Sequence, residues 1–287
     1  MWILASVLSA FFAGITTILS KCGIRNVRSD VATAFRTAVV LLFAWAIVLI
    51  TGAYRTLSDI DLKSWVFLIL SGLATGASWI CYFKALSLSD ASKVAAVDKS
   101  SVVLSVLLAI LLFPDERTNW GLKLLFLAII AAGTYLMADL RFGKTKGNSG
   151  LFFAALSALF AAATSLLAKV GIENVDSNLA TAIRTGVVLI LAWLIVFARG
   201  ETKYVRDLKG KDIVFLILSG LATGASWLCY YYAIQNGQVS VVVPIDKLSI
   251  LITVVFSVLV FKEKLSLKAW LGLALLIVGT VLMAVLT

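Results

Sequence analysis

Histidine is absent from the 287 residues, and cysteine occurs only at Cys22, Cys81 and Cys229. Without imidazoles, and without clustered thiols or carboxylates, the chain offers no ligand set for a structural or catalytic metal. The three cysteines give no disulfide framework. A glycine-rich phosphate loop, a dinucleotide turn and a nucleophile elbow are all missing, so no cofactor is expected and ATP is not expected to drive this chain. Serine and aspartate are present, but in no spacing of nucleophile, base and orienting group, and an enzyme is not expected. Charge is scarce too: 14% of residues are charged against 61% hydrophobic. The net charge of +10 would suggest nucleic acid in a soluble chain. Here the cations stand mostly in short segments between apolar runs, with no basic-aromatic surface, so no nucleic-acid partner is expected.

What is abundant is apolar sequence of membrane-spanning length. Ten stretches can be counted, at about 2–20, 31–51, 65–86, 93–113, 119–138, 150–169, 179–198, 212–234, 239–261 and 267–286. The pattern is that of an all-α integral membrane protein with ten transmembrane helices. Met1 to Ser20 lacks a basic start and a small-residue cleavage pattern, and reads as the first span.

The chain is also duplicated. VFLILSGLATGASWICY, Val66 to Tyr82, returns 148 positions later as Val214 to Tyr230 with the single change of Ile80 to Leu228. Each half holds five spans: residues 1–142 form one repeat, 143–149 a linker, and 150–287 the second. Because five is odd, the second copy enters the membrane from the opposite side, and the fold expected is two inverted five-helix repeats. The fifth stretch, interrupted by Lys123, is the weakest span and the one a re-entrant segment would replace. In the loops, fifteen Lys and Arg fall on one side and five on the other. The tally places both termini outside.

Within the copied stretch Gly72 and Gly76, and Gly220 and Gly224, stand four apart and clear one helix stripe for close packing. Ser71, Thr75, Ser78 and Tyr82 align along an adjacent stripe, as do Ser219, Thr223, Ser226 and Tyr230. With Trp79 and Trp227, the residues Thr75, Ser78, Tyr82, Thr223, Ser226 and Tyr230 are candidates to line a wet cavity. The same hydroxyls could instead bond back one turn or join helices, and the rings could form an interfacial belt.

Charges inside hydrocarbon cost roughly 2.5–3.5 kcal/mol each on insertion scales, so they are candidate functional groups. Lys21 and Lys169, Arg36 and Arg184, Asp98 and Asp246, and Lys99 and Lys247 all recur at 148. Inversion puts one such set near each mouth of a central pathway, as two alternately opening gates require. Asp98 and Lys99 should diverge as helix neighbours, leaving Lys21 or Arg36 as partners for Asp98, and Lys169 or Arg184 for Asp246. Lys21 and Lys169 also suit snorkelling span ends. Lys84 has Tyr232 at its counterpart position, and Pro244 replaces Ala96 two residues before Asp246, where it should bend the ninth span into a hinge.

Five sets of segments carry a family resemblance: LSKCGI and LAKVGI closing the first span of each half; ATAFRT and ATAIRT opening the second; SGLATGASW in the third; AVDKS and PIDKL opening the fourth; and VFKEKLSLKAWLGLALLIVGTVLM closing the chain. With them, essentially the whole chain resembles the drug/metabolite transporter superfamily, specifically proteins built from EamA domains. Each half is similar to small single-domain members that would have to pair. The resemblance implies a multi-pass carrier, expected in a bacterial or archaeal inner membrane, moving small metabolites by alternating access with a cavity between the halves. It also implies cytoplasmic termini, against the charge tally. The surplus of cations in both charged sets favours an anionic or zwitterionic small-molecule substrate, handled by a single ten-helix chain among membrane lipids. A flippase for a lipid-linked anionic headgroup is the alternative.

Overall fold

In hydrocarbon an apolar run has no partner for its backbone but itself, so each run closes into a helix. The computed structural model describes residues 1–23, 27–88, 94, 97–98, 100–137, 149–262 and 266–287, and no strand occurs among them. The helices are α1 (Trp2–Gly23), α2 (Ser29–Thr51), α3 (Leu62–Leu88), α4 (Ser101–Leu112), α5 (Trp120–Met137), α6 (Ser149–Gly171), α7 (Ser177–Ala198), α8 (Gly210–Asn236), α9 (Val239–Lys247), α10 (Ser249–Phe261) and α11 (Leu267–Leu286). Among the described residues nine segments are long and apolar enough to cross a membrane, one of them, Val239–Phe256, running through α9 into α10; α4 is a shorter apolar helix. Short 3-10 turns follow α2, α4 and α7. Two begin after Gly52 (φ 74°) and Gly200 (φ 65°), equivalent residues in the left-handed region that glycine enters without a Cβ clash.

The helices form two compact units, each drawing on both halves of the sequence. One comprises Met1–Gly76 with Leu167–Asn236, the other Ala77–Leu166 with Gly237–Thr287. In the first unit α1 packs on α8, and α2 on α7 and α8; in the second, α5 packs on α11, and α9 on α4 and α11. The glycine stripes are the seams. A Cβ on Gly72 would sit 2.8 Å from the Val187 Cβ and 3.0 Å from the Arg184 carbonyl; one on Gly220 would meet the Val39 Cβ at 2.6 Å and the Arg36 carbonyl at 3.1 Å. In the second unit Gly133 and Gly272 bring α5 and α11 together, each 2.6 Å from the other's carbonyl by the same construction.

Polar contacts between connections fix which loops share a face. Arg199 reaches Asp30 at 2.6 Å and Arg28 reaches Glu201 at 2.8 Å, tying the α1–α2 connection to the start of the α7–α8 connection. Lys63 pairs with Glu173 at 3.1 Å, tying the α2–α3 connection to the α6–α7 connection. In the second unit the Asn119 amide donates to the Leu286 carbonyl at 3.5 Å. These are the neighbours that five spans per half and an inverted second copy require.

One expectation is corrected, and a second gains detail. Lys123 is no loop cation and does not interrupt the fifth span: α5 runs through it, and its ammonium is fully buried, 3.5 Å from an equally buried Glu116 carboxylate and 2.9 Å from the Gln238 side-chain oxygen. Glu116 in turn accepts from the Val239 and Ser240 amides and the Ser240 hydroxyl, capping α9. The ninth span does break, shortly after Pro244. The break falls at Leu248, whose amide donates to the Ile245 carbonyl at 2.9 Å, and the same short bond recurs from Ser100 to Val97 at 3.0 Å, where the first half has Ala96 instead of proline.

Candidate functional site

Arg184 lies on the second turn of α7, roughly 10 Å along the helix at 1.5 Å per residue, facing the hydroxyl stripe of α3 in the first unit. Its side chain is fully buried. Nε donates to the Ser71 hydroxyl at 3.3 Å and Nη2 to the Thr75 hydroxyl at 2.9 Å. The Thr75 hydroxyl spends its own proton on the Ser71 carbonyl at 3.0 Å, so its lone pairs are what the guanidinium meets. The Tyr231 ring centroid lies 4.1 Å and the Trp227 centroid 5.5 Å from the guanidinium carbon, cation–π contacts that return part of the desolvation cost. Nη1 is buried and has no hydrogen-bond partner. Arg36, its copy, is only half-buried and donates to the Ser20 hydroxyl at 3.3 Å.

Serine bridges accompany both copies. In the first unit Ser9 and Ser226 stand 3.3 Å apart and Thr16 and Thr223 3.2 Å apart. In the second, Ser78 and Ser157 stand 3.2 Å apart, and the Ser157 hydroxyl donates to the Asp98 carboxylate at 2.8 Å. Tyr82 packs half-buried against Ala85, Val94 and Ala154. Of the eight candidate cavity residues, Thr75, Ser78 and Ser226 are buried in helix contacts, while Trp79, Tyr82, Thr223, Trp227 and Tyr230 are half-buried. Thr75 and Thr223 do bond back one turn, to Ser71 and Ser219.

The remaining charged candidates are less gathered. Lys169 is half-buried, with its ammonium 3.5 Å from the Gln235 carbonyl. Asp246 has the Lys247 ammonium at 4.0 Å. Neighbours in an ideal helix diverge, but α9 ends at Lys247 and the lysine stem can fold back. Lys21 lies in the last turn of α1 with its side chain outside the described residues, and Lys99 lies outside them altogether. The pairings expected for Asp98 and Asp246 each join a carboxylate of the second unit to a cation of the first; within its own unit each described group already has a partner.

Ser9, Ser20, Ser157 and Tyr231 carry no formal charge and stand outside the copied stretches Val66–Tyr82 and Val214–Tyr230, so neither of those sequence signals marks them. Ser9 and Ser157 were findable: they too are related by 148.

The family model described as the EamA-like transporter family matches this chain twice, over residues 1–138 and 148–285. A relative from Sinorhizobium sp. bearing the description uncharacterized transporter in cobO 3'region is 48% identical over 138 residues, which make up 48% of this chain and 98% of the relative. An uncharacterized protein of Methanocaldococcus jannaschii is 28% identical over 138 residues, again 48% of this chain and 98% of that protein. A solved crystal structure superposes over 100% of this chain and 99% of its own, with a TM-score of 0.79 at 20% identity, a likeness of fold.

Proposed function

The chain belongs to the EamA-like transporter family, as two fused copies of its unit, and from that premise we propose that this membrane transporter is a secondary carrier working by alternating access. The observation that supports the reading is one seam found in two conditions. Gly72 on Val187 and Arg184, and Gly220 on Val39 and Arg36, are copies with nearly the same backbone spacing. Arg184 is locked into the Ser71 and Thr75 hydroxyls, whereas Arg36 leaves the equivalent Ser219 and Thr223 to other partners. A carrier resting with one gate shut and the other relaxed would look like this.

The substrate is a small polar or amphipathic metabolite, anionic or zwitterionic, moved by a single ten-helix chain. Asp98 is the group offered for proton coupling, since a hydroxyl chain from Ser78 through Ser157 leads to it.

The test is flux into vesicles reconstituted with the purified chain, using anionic, zwitterionic and cationic solutes with and without a pH gradient. Saturable uptake and counterflow of one charge class are expected, and Asp98→Asn should abolish the pH-driven part. Scrambling of an anionic lipid without uptake of any soluble solute would replace the carrier reading by the flippase.

A further inference from the structure

We propose that the free edge of Arg184 is a carboxylate subsite, so that the substrate presents one carboxylate to the first unit; this rests on the carrier reading above. A guanidinium has five N–H donors in a fixed plane. Ser71 takes the Nε donor and Thr75 one donor of Nη2. What remains without a hydrogen-bond partner is Nη1, at the end of the fork, with both of its donors. The N–H groups at that end of a guanidinium are the ones that meet carboxylate oxygens in charge-assisted hydrogen bonds.

The charge balance points the same way. The two hydroxyls are neutral, and among the described residues Arg184 forms no ion pair, so the buried cation is offset by neutral groups alone: ring faces and the Tyr231 side chain, which also meets it as a hydrogen-bond partner. A buried charge left in that condition is strongly destabilising unless a counter-charge arrives. One guanidinium calls for one negative charge. A carboxylate brings one; a phosphate monoester brings about 1.5 to 2 at neutral pH and would leave the site over-neutralised. The unpartnered Nη1 separates this arginine from one held purely for structure, whose donors fold normally satisfies. The feature is not mirrored: Arg36 is half-buried, and Phe83 stands where the second half has Tyr231.

The test is thermal unfolding of the purified full chain in detergent, titrated with sodium acetate, inorganic phosphate and choline chloride at matched ionic strength. Acetate is expected to raise Tm by roughly 3 °C at tenfold excess over its dissociation constant, with no comparable rise for phosphate or choline. Arg184→Gln should lose the acetate response, Arg184→Lys should weaken acetate binding at least about tenfold because the planar fork is gone, and Lys211→Gln, an exposed cation, should keep it. An acetate response unchanged in Arg184→Gln or Arg184→Lys, or no response in the native chain, overturns the subsite. Should Arg184→Gln fail to fold, Arg184→Lys decides alone. If vesicles carry a solute that has no carboxylate and Arg184→Lys leaves that flux unchanged, the subsite fails while the carrier stands. If acetate binds through Arg184 but no solute crosses, the carrier fails while the subsite stands.

Discussion

The Lys123 ammonium is closed in by the Glu116 carboxylate and carbonyl and by Gln238, with no exposed surface on either member of the ion pair. Removing one partner leaves the other charge buried alone, so Lys123→Met should cost roughly 3–5 kcal/mol, while Lys123→Met combined with Glu116→Gln should cost less than Lys123→Met itself. Thermal unfolding of the three proteins checks the order. At Ser157 the hydroxyl both meets Ser78 and donates to Asp98. Ser157→Ala should reduce pH-driven uptake and Ser157→Thr should retain it; equal loss in both would assign Ser157 to packing instead. These environments were illegible in the sequence, because hydropathy around Lys123 cannot see Gln238, 115 residues away. A search for carboxylate partners likewise overlooks an arginine held by two hydroxyls.

At the glycine seams the helices pack closely enough for one added methyl to register. Gly72→Ala and Gly220→Ala each push a Cβ into a valine Cβ on α7 or α2, and overpacking of that kind costs typically about 1–3 kcal/mol. Gly186, inside α7 with nothing within 4 Å of an added Cβ, is the control: Gly186→Ala should be neutral or stabilising by up to about 1 kcal/mol. Unfolding temperatures in that order support the seams; a loss at Gly186 as large as at Gly220 would dismiss them. The short backbone bond at Leu248 recurs at Ser100, in the copy whose sequence has no proline there, so Pro244→Ala should keep flux, and loss of transport would make the proline the hinge. The elements themselves were legible, since span length and glycine spacing are local. Which helix meets each seam was not, because nothing within α3 names α7 as its neighbour.

For the molecule as a whole, the odd span number was enough to set the sequence expectation of an inverted second copy, and the loop-to-loop ion pairs agree with it. Which face is cytoplasmic is a separate matter. In a background with Cys22, Cys81 and Cys229 replaced by serine, cysteine at exposed Ser58 should react with an impermeant maleimide added to intact cells, and cysteine at exposed Lys203 should not, as the charge tally requires. The reverse pattern would place the termini in the cytoplasm, and labelling of both from one side would overturn the inverted topology. Tyr231 against Arg184 has Phe83 as its counterpart, and Ser20 against Arg36 has Ala168. In a half-length relative that assembles as a pair, every substitution lands on both copies at once. Here a substitution lands on one, so mutation and selection can change the two halves of the transporter as separately heritable traits.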